Sequence, residues 1–374
     1  MFVFNKEYLE FKDSIEELVN KYIEQGANER NFNKVYPAEI MKNLGKLGYN
    51  GLLIPMEYEG ANLDIVSSMI VINTVAKSDA SIAQLLSAGN FGFVYPLLAY
   101  GTEEQKQKYL VPIAIGEKET SFAYIESQSG IHTTARQEGE YFILNGSKVM
   151  STNSPYADYC LVIAIDNEAV DDVERLSAFI VDLKNTDGVV VDKPEETMGL
   201  QSLRIAGIHF DDVKVPKSDL LGSINQGPEI RAKLTSLACI SNCAIALGVA
   251  ERAYEEALEY AKIRIIDSAP LIEMQYVRFD FADIKAELEL MRLATFYVAS
   301  RFGQEGWDEL LNGCIIKYKI TEKAKSICDQ CLKIFGGSGY IRGNIVERLY
   351  RDIRALTILG GPTNSLQGCI SMFI

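Results

Sequence analysis

The 374-residue chain has few of the residues that mark a metal or disulfide site. It carries only two histidines, His132 and His209, and seven cysteines without regular spacing. An odd number of scattered cysteines is not the disulfide framework of a small secreted protein. Cys328 and Cys331 form one C-x-x-C pair within an apolar helical pattern, with no second pair and no histidine near them in sequence. We interpret them as buried structural thiols and predict no metal site.

Positive charge is also scarce, since 37 Lys and Arg stand against 51 Asp and Glu, a net charge of −14. Non-specific nucleic-acid binding needs a basic surface, so this class of partner is excluded. The N-terminal sequence MFVFNKEYLEFKD has no basic region followed by an apolar stretch, which argues against a secretory signal. Apolar runs such as residues 244–250 are too short to span a bilayer. We expect a cytoplasmic protein with no membrane partner.

What the chain does have is enough apolar material, 48% of its residues, for one large core or several smaller ones. Residues 1–118 show a helical period. An apolar stripe there consists of Phe4, Tyr8, Phe11, Ile15, Leu18 and Tyr22. Thr102, followed by Glu103 and Glu104, predicts a helix start. This first zone is predicted to be an N-terminal helical domain.

The hydrophobic period changes to two between residues 119 and 226. Predicted strands include 141–144, 159–165, 176–181, 208–210 and 213–215. Asn145-Gly146 predicts a hairpin turn. From 227 to 374 the helical period returns, in runs at 229–264, 270–303, 307–334 and 345–358. We therefore predict an α+β protein with a middle β-barrel or sandwich domain and a C-terminal four-helix bundle.

Six short motifs occur in a fixed order along the chain. They are Gly51 to Pro55 with Glu57-Tyr58, YGTEEQKQKYL at 100–110, Asn145 to Lys148 with Ser151-Thr152-Asn153, Phe210 to Pro216, Phe335 to Tyr340, and Tyr350-Arg351-Asp352. Together they make the chain resemble the acyl-CoA dehydrogenase superfamily over nearly its whole length. The resemblance implies FAD bound between the β domain and the helical bundle, in a homodimer or homotetramer. It also implies an acyl-CoA or acyl carrier protein substrate, and an electron-transfer partner or oxygen as acceptor.

The same resemblance supplies candidate FAD-binding residues. Thr152 falls where the family places a hydroxyl near flavin N5. Arg264 and Gln275 match a stretch that reaches the pyrophosphate of FAD in a neighbouring subunit, and Gly336-Gly337 would let backbone approach the cofactor. Further candidates are Tyr124, Ile125, Ser129, Lys333 and Asn364, of which Ile125 and Lys333 replace the usual threonine and glutamine.

Two stretches differ from ordinary family members and resemble one branch. IESQSG at 125–130 and Tyr156-Ala157-Asp158 are similar to enzymes that act on carrier-protein-bound acyl groups in polyketide and nonribosomal peptide biosynthesis. Those enzymes help to make hydroxymalonyl, methoxymalonyl or aminomalonyl extender units. The resemblance implies the same role here.

The family's catalytic base is missing. Gly360 occupies the position where the family usually has a glutamate, and Ala238 occupies the alternative position on an earlier helix. Losing a positioned base typically costs about 10²–10⁴-fold in rate. Four interpretations follow: a substrate that needs no α-proton removal, a base from elsewhere such as Glu126, oxygen activation by the flavin, or a non-catalytic binding protein.

Overall fold

The computed structural model describes residues 5–166 and 175–374, so Phe4 of the predicted stripe lies outside it. The first zone is helical, as predicted. Its helices are α1 (Lys6–Val19), α2 (Ala27–Phe32), α3 (Ala38–Lys46), α4 (Ile65–Ser78), α5 (Ala80–Gly89), α6 (Tyr95–Tyr100) and α7 (Glu103–Ala114). The predicted start at Thr102 is confirmed, because its side chain accepts a hydrogen bond from Gln105 N while the Gln105 side chain accepts one from Thr102 N.

The middle zone is a β domain. Its strands are β1 (Thr120–Ala123), β2 (Thr134–Glu138), β3 (Tyr141–Thr152), β4 (Tyr159–Asp166), β5 (Leu176–Asp182), β6 (Val189–Val191), β7 (Ile205–Pro216) and β8 (Leu220–Leu221). Their order in the sheet is β6-β7-β3-β1-β4-β5-β8, and β2 pairs with β3 and β4. Alternate residues such as Phe142, Val162 and Phe179 point into one apolar core.

Two local predictions in this domain are wrong. Asn145-Gly146 makes no hairpin turn but lies inside β3, at a register shift against β7. The two predicted strands 208–210 and 213–215 are parts of the single strand β7. Across the two strands, Asn145 Nδ2 donates to Asp212 Oδ1 and Asp212 N donates to Asn145 Oδ1, both at 2.9 Å. Because of this cross-strand pair and the bulge, Asn145 and Gly146 are accommodated within the strand. Pairing with β7 therefore overrides the hairpin-turn preference of this dipeptide.

The last zone is helical again. It contains α8 (Gly227–Ile263), a short hairpin of β9 (Ile265–Ile266) and β10 (Ala269–Pro270), then α9 (Gln275–Arg301), α10 (Glu309–Phe335), α11 (Ile345–Leu356) and α12 (Thr363–Ser371). The four predicted helical runs are confirmed. The second helix starts later than predicted, at Gln275, because Pro270 lies in the hairpin strand β10 and Leu271–Glu273 form a 3-10 helix. The domain boundaries proposed from sequence stay predictions.

Helix α8 is the centre of the molecule. It packs against α4 of the first zone and against α9, α10 and α11 of the last. Residues Leu237 to Ala250 of α8 are almost all buried. By length and composition alone, 227–263 and 80–100 are apolar enough to cross a bilayer, but both stretches are mostly buried inside the protein. Core helices have the same character, so this pattern is weak evidence for a membrane span.

Candidate active site

A cavity of about 120 Å³ lies where the β domain meets helices α5 and α8. Helix α5 contributes Gln84 and Ser87, strand β3 contributes Thr152, and α8 contributes Asn242. Gly360, in the segment after α11, closes one side. The cavity therefore gathers residues from all three zones, as ligand sites between structural units commonly do.

The wall formed by α5 and α8 is polar at one place. Ser87 Oγ donates to Ser241 Oγ at 2.8 Å, and Ser241 Oγ donates to the Ala238 carbonyl at 3.2 Å. Gln84 lies one turn before Ser87, and Asn242 follows Ser241 directly. Two neighbouring helices thus bring four polar side chains close together on one wall of the cavity.

Gly360 has a backbone that favours glycine, with φ of +69°. A Cβ on this residue would lie 2.7 Å from Asn242 Nδ2, 3.6 Å from Ala238 Cβ and 3.7 Å from Lys317 Cε. The Asn242 amide therefore fills the space where a side chain at position 360 would begin. The glycine and the asparagine are sterically coupled.

Two side chains hold the backbone on either side of Gly360. Asn242 Nδ2 donates to the Leu359 carbonyl at 3.0 Å, and Lys317 Nζ donates to the Gly361 carbonyl at 2.6 Å. Lys317 is fully buried, and burial lowers its pKa from the ordinary lysine value. These two hydrogen bonds hold the loop around Gly360 against helices α8 and α10.

Among the described residues around this cavity, none is Asp, Glu, His, Lys or Arg. Glu126, the suggested replacement base, does not line it. Its carboxylate accepts hydrogen bonds from Lys148 Nζ at 2.6 Å, Thr133 N at 3.0 Å and His132 N at 2.7 Å. Burial raises the pKa of Glu126, but the bonds from Lys148 and Thr133 outweigh burial and hold that pKa below its usual value. A carboxylate so engaged is a poor base.

The structure brings three predicted FAD residues together at the cavity: Tyr124, Ile125 and Thr152. The end of β3 that carries Thr152 has a register shift against β7 between Lys148 and Ser151. Met150 inside this bulge has φ of +55°, an unusual value for a residue with a side chain. Such bulges turn side chains toward functional sites, and this one presents Met150 and Thr152 to the same cavity.

A second depression, of about 250 Å³, contains Arg264, Gly336 and Gly337. Tyr260 and Phe335 stack beneath it, with ring centroids 4.2 Å apart. The remaining candidates, Ser129, Gln275, Lys333 and Asn364, are exposed and line neither space. Their assignment to FAD stays a prediction.

The residues of the depression fit a diphosphate. Within the described part of the chain the exposed Arg264 guanidinium has no hydrogen-bond or ion-pair partner, so its planar set of donors is free. A Cβ on Gly336 or Gly337 would meet no atom within 4 Å, which leaves space above the backbone. Free cationic donors beside open glycine backbone are the groups that hold the pyrophosphate of a dinucleotide.

The C-x-x-C pair lies apart from both spaces. Cys328 and Cys331 are free and buried, as predicted, and burial raises the pKa of Cys331 to about 12. In residues 5–166 and 175–374, no group of three or more His, Cys, Asp or Glu side chains could hold a metal ion.

Sequence reasoning missed Gln84, Asn242 and Lys317. A signal for the first two exists, because ASIAQLLSAG and CISNCAIALG are apolar helical runs interrupted by amides and serines. Their meeting at one cavity depends on the packing of α5 against α8, which the sequence does not show.

The comparisons with known proteins agree with this architecture. Models of the acyl-CoA dehydrogenase N-terminal, middle and C-terminal domains match residues 5–117, 121–213 and 225–374. The 3-(aryl)acrylate reductase of Clostridium sporogenes is 35% identical over 93% of each chain. The caffeyl-CoA reductase-Etf complex subunit CarC of Acetobacterium woodii is 34% identical over 90% of this chain and 89% of its own. The structure of butyryl-CoA dehydrogenase from Megasphaera elsdenii superposes with a TM-score of 0.94 at 29% identity, over 100% of this chain and 99% of the other.

The fold, the site and these comparisons together define a flavin-dependent oxidoreductase. The chain belongs to the acyl-CoA dehydrogenase family, and its cofactor is FAD. When bound, FAD supplies a hydride acceptor or donor. The chain's own contribution is the loop around Gly360, a cavity with polar side chains on one wall, and a depression that contains Arg264.

Proposed function

We propose that this protein oxidises an acyl group held as a thioester, at a carbon that already bears a hydroxyl. The observation that carries this proposal is the glycine at position 360, in a cavity whose described walls hold no carboxylate or histidine. Removal of a thioester α-proton needs a positioned base, and an enzyme without that base is slower by about 10²–10⁴-fold. An O–H proton can leave to water, so a hydroxyl-bearing carbon suits this cavity.

The reaction balances without a protein base. The C–H and O–H bonds of an alcohol or aldehyde hydrate break and a carbon–oxygen double bond forms; bound FAD would supply the hydride acceptor, and water would take the O–H proton. The chain orients the acyl group between α5, α8 and the end of β3. Orientation of reacting groups is itself a large source of rate enhancement.

The proposed carrier of the acyl group is an acyl carrier protein, in the formation of hydroxymalonyl or aminomalonyl type extender units. The support is the sequence similarity of 126–130 and 156–158 to that branch. We further propose that electrons leave to an electron-transferring flavoprotein, since CarC is named as part of an Etf complex. A homodimer or homotetramer, in which Arg264 of one chain serves the FAD of another, and a cytoplasmic location stay predictions.

A second candidate is reduction of an arylacrylyl thioester. It is favoured by the name of the Clostridium sporogenes relative and by aromatic side chains, Phe91, Phe122 and Tyr124, in the cavity wall. Their rings could contact an aryl group face to face or edge to face. In this direction the α-carbon gains a proton, which water can supply.

Anaerobic flavin spectroscopy separates these functions. We expect carrier-bound 3-hydroxyacyl or aldehyde thioesters to bleach the visible band of the oxidised holoenzyme, and butyryl-CoA to leave it unchanged. Bleaching by butyryl-CoA at ordinary dehydrogenase rates would refute the proposal, because it requires a base. Reoxidation of the chemically reduced flavin by an arylacrylyl-CoA, without bleaching by hydroxyacyl thioesters, would establish the second candidate. Protein that cannot be loaded with FAD would indicate a binding role.

A further inference from the structure

The cavity contains two buried amide oxygens without hydrogen-bond donors. Gln84 Oε1 and Asn242 Oδ1 accept no hydrogen bond within the described structure, although the side chains are only 8% and 2% exposed. Both residues line the cavity. A buried acceptor left without a donor costs about 1–3 kcal/mol, so native proteins normally satisfy it with protein, water or ligand.

The orientation of Asn242 is fixed. Its Nδ2 donates to the Leu359 carbonyl at 3.0 Å, and turning the amide over would set two oxygens against each other. Asn242 Oδ1 must therefore be the free atom. The Gly360 backbone allows this placement, because any larger residue would put a Cβ 2.7 Å from the amide nitrogen.

The hydroxyls on the wall formed by α5 and α8 cannot supply the missing donors. Ser87 gives its hydrogen to Ser241, Ser241 gives its own to the Ala238 carbonyl, and Thr235 gives its own to the Arg231 carbonyl at 2.8 Å. These hydroxyls have only acceptor capacity left. This wall of the cavity therefore presents the acceptors Gln84 Oε1 and Asn242 Oδ1, and none of its hydroxyls has a hydrogen left to give them.

We propose that Asn242, with Gln84, selects an acyl group that carries an O–H or N–H donor close to the thioester, and rejects saturated acyl groups of the same size. This inference rests on the proposed function and names its substrate class: hydroxyacyl or aminoacyl thioesters.

Matched pairs of thioesters test the selection by binding alone. Glycolyl and propionyl thioesters differ by a hydroxyl in place of a methyl group, and 3-hydroxypropionyl and butyryl thioesters repeat this difference one carbon further out. Methoxyacetyl thioester keeps the oxygen but has no donor. Each is prepared on CoA and on a carrier protein, and calorimetry measures its affinity for anaerobic holoenzyme whose flavin has been chemically reduced and cannot accept a hydride.

We expect the donor-bearing member of at least one pair to bind about tenfold or more tightly than its saturated partner, the value of one hydrogen bond to a buried acceptor. Methoxyacetyl should bind no better than the saturated compound. Asn242→Leu, and separately Gln84→Met, should reduce the preference. Asn90→Leu is the control, because Asn90 is also buried, donates to the Leu86 carbonyl and has a free Oδ1, but lines a different space.

Equal binding within both pairs, or no saturable binding at all, would overturn the inference. So would a preference that survives in Asn242→Leu and Gln84→Met. The outcomes separate the two proposals: donor selectivity without flavin bleaching leaves this inference standing and removes the proposed oxidation. Flavin bleaching without donor selectivity leaves the proposed oxidation standing and removes this inference.

Discussion

Restoring a base to this cavity should succeed at Ala238 and largely fail at Gly360. Ala238 lies in the regular helix α8, already has a Cβ and faces the cavity. Gly360 has φ of +69°, and a Cβ there would lie 2.7 Å from Asn242 Nδ2. A glutamate at 238 therefore needs only a rotamer choice, whereas a glutamate at 360 needs a strained backbone and a displaced asparagine.

The size of the difference follows from these two costs. A positioned base contributes about 10²–10⁴-fold to α-proton removal. Strained backbone of this kind costs about 1–3 kcal/mol, which lowers the correctly placed fraction by roughly 5- to 150-fold. The gain in the rate of α-proton removal should therefore be much smaller for Gly360→Glu than for Ala238→Glu. The double variant Gly360→Glu/Asn242→Ala should recover the part of the rate that Gly360→Glu loses through its close contact with Asn242 Nδ2.

The assay is the rate at which butyryl-CoA bleaches the flavin under anaerobic conditions. Ala238→Gln and Gly360→Gln, which add the same bulk without a carboxylate, are the controls and should show no gain. The reasoning fails if Gly360→Glu alone is faster than Ala238→Glu, or if Asn242→Ala adds nothing to it.

Three further predictions concern residues outside the cavity. Burial raises the pKa of Asp352 to about 6 from 3.8, so its folded state keeps a proton that the unfolded chain releases, and this contribution is lost as pH rises through about 6. The free energy of unfolding of Asp352→Asn in urea, relative to wild type, should therefore improve between about pH 4 and 7 by up to about 3 kcal/mol, and a pH-independent difference would contradict it. Glu126→Gln leaves the buried Lys148 without its carboxylate and should cost about 3–5 kcal/mol in thermal unfolding, which Lys148→Met should largely restore; an altered pH profile of flavin reduction would instead indicate a base. Arg264→Met should weaken FAD retention about 10- to 100-fold in a filter-binding measurement, while Arg136→Met on β2 should not.

Much of the fold was predictable because its signals are local and repeated. The long apolar periods of α8, α9, α10 and α11 and the capping residues at Thr102 are properties of short segments, and all are confirmed. Asn145-Gly146 shows where such reasoning fails. A turn signal of two residues was overridden by pairing with Asp212, which lies far away in sequence.

The candidate site was predictable only in part. The ordered motifs identified the family, FAD and the missing glutamate at Gly360, and the structure gathers Tyr124, Ile125, Thr152 and Gly360 at one cavity. The role of Glu126 was not predictable, since its sequence neighbours say nothing of Lys148, whose ammonium group it binds.

The sequence by itself therefore determined the order of helices and strands, the family and the loss of the usual base. Only the tertiary structure decided which side chain occupies the space that the usual base would fill. The Asn242 amide fills the space beside Gly360, although 117 residues separate it from the Leu359 carbonyl that orients it. The free acceptors of the cavity arise from α5 packing on α8, because hydrogen-bond satisfaction is a property of the whole fold and not of any segment.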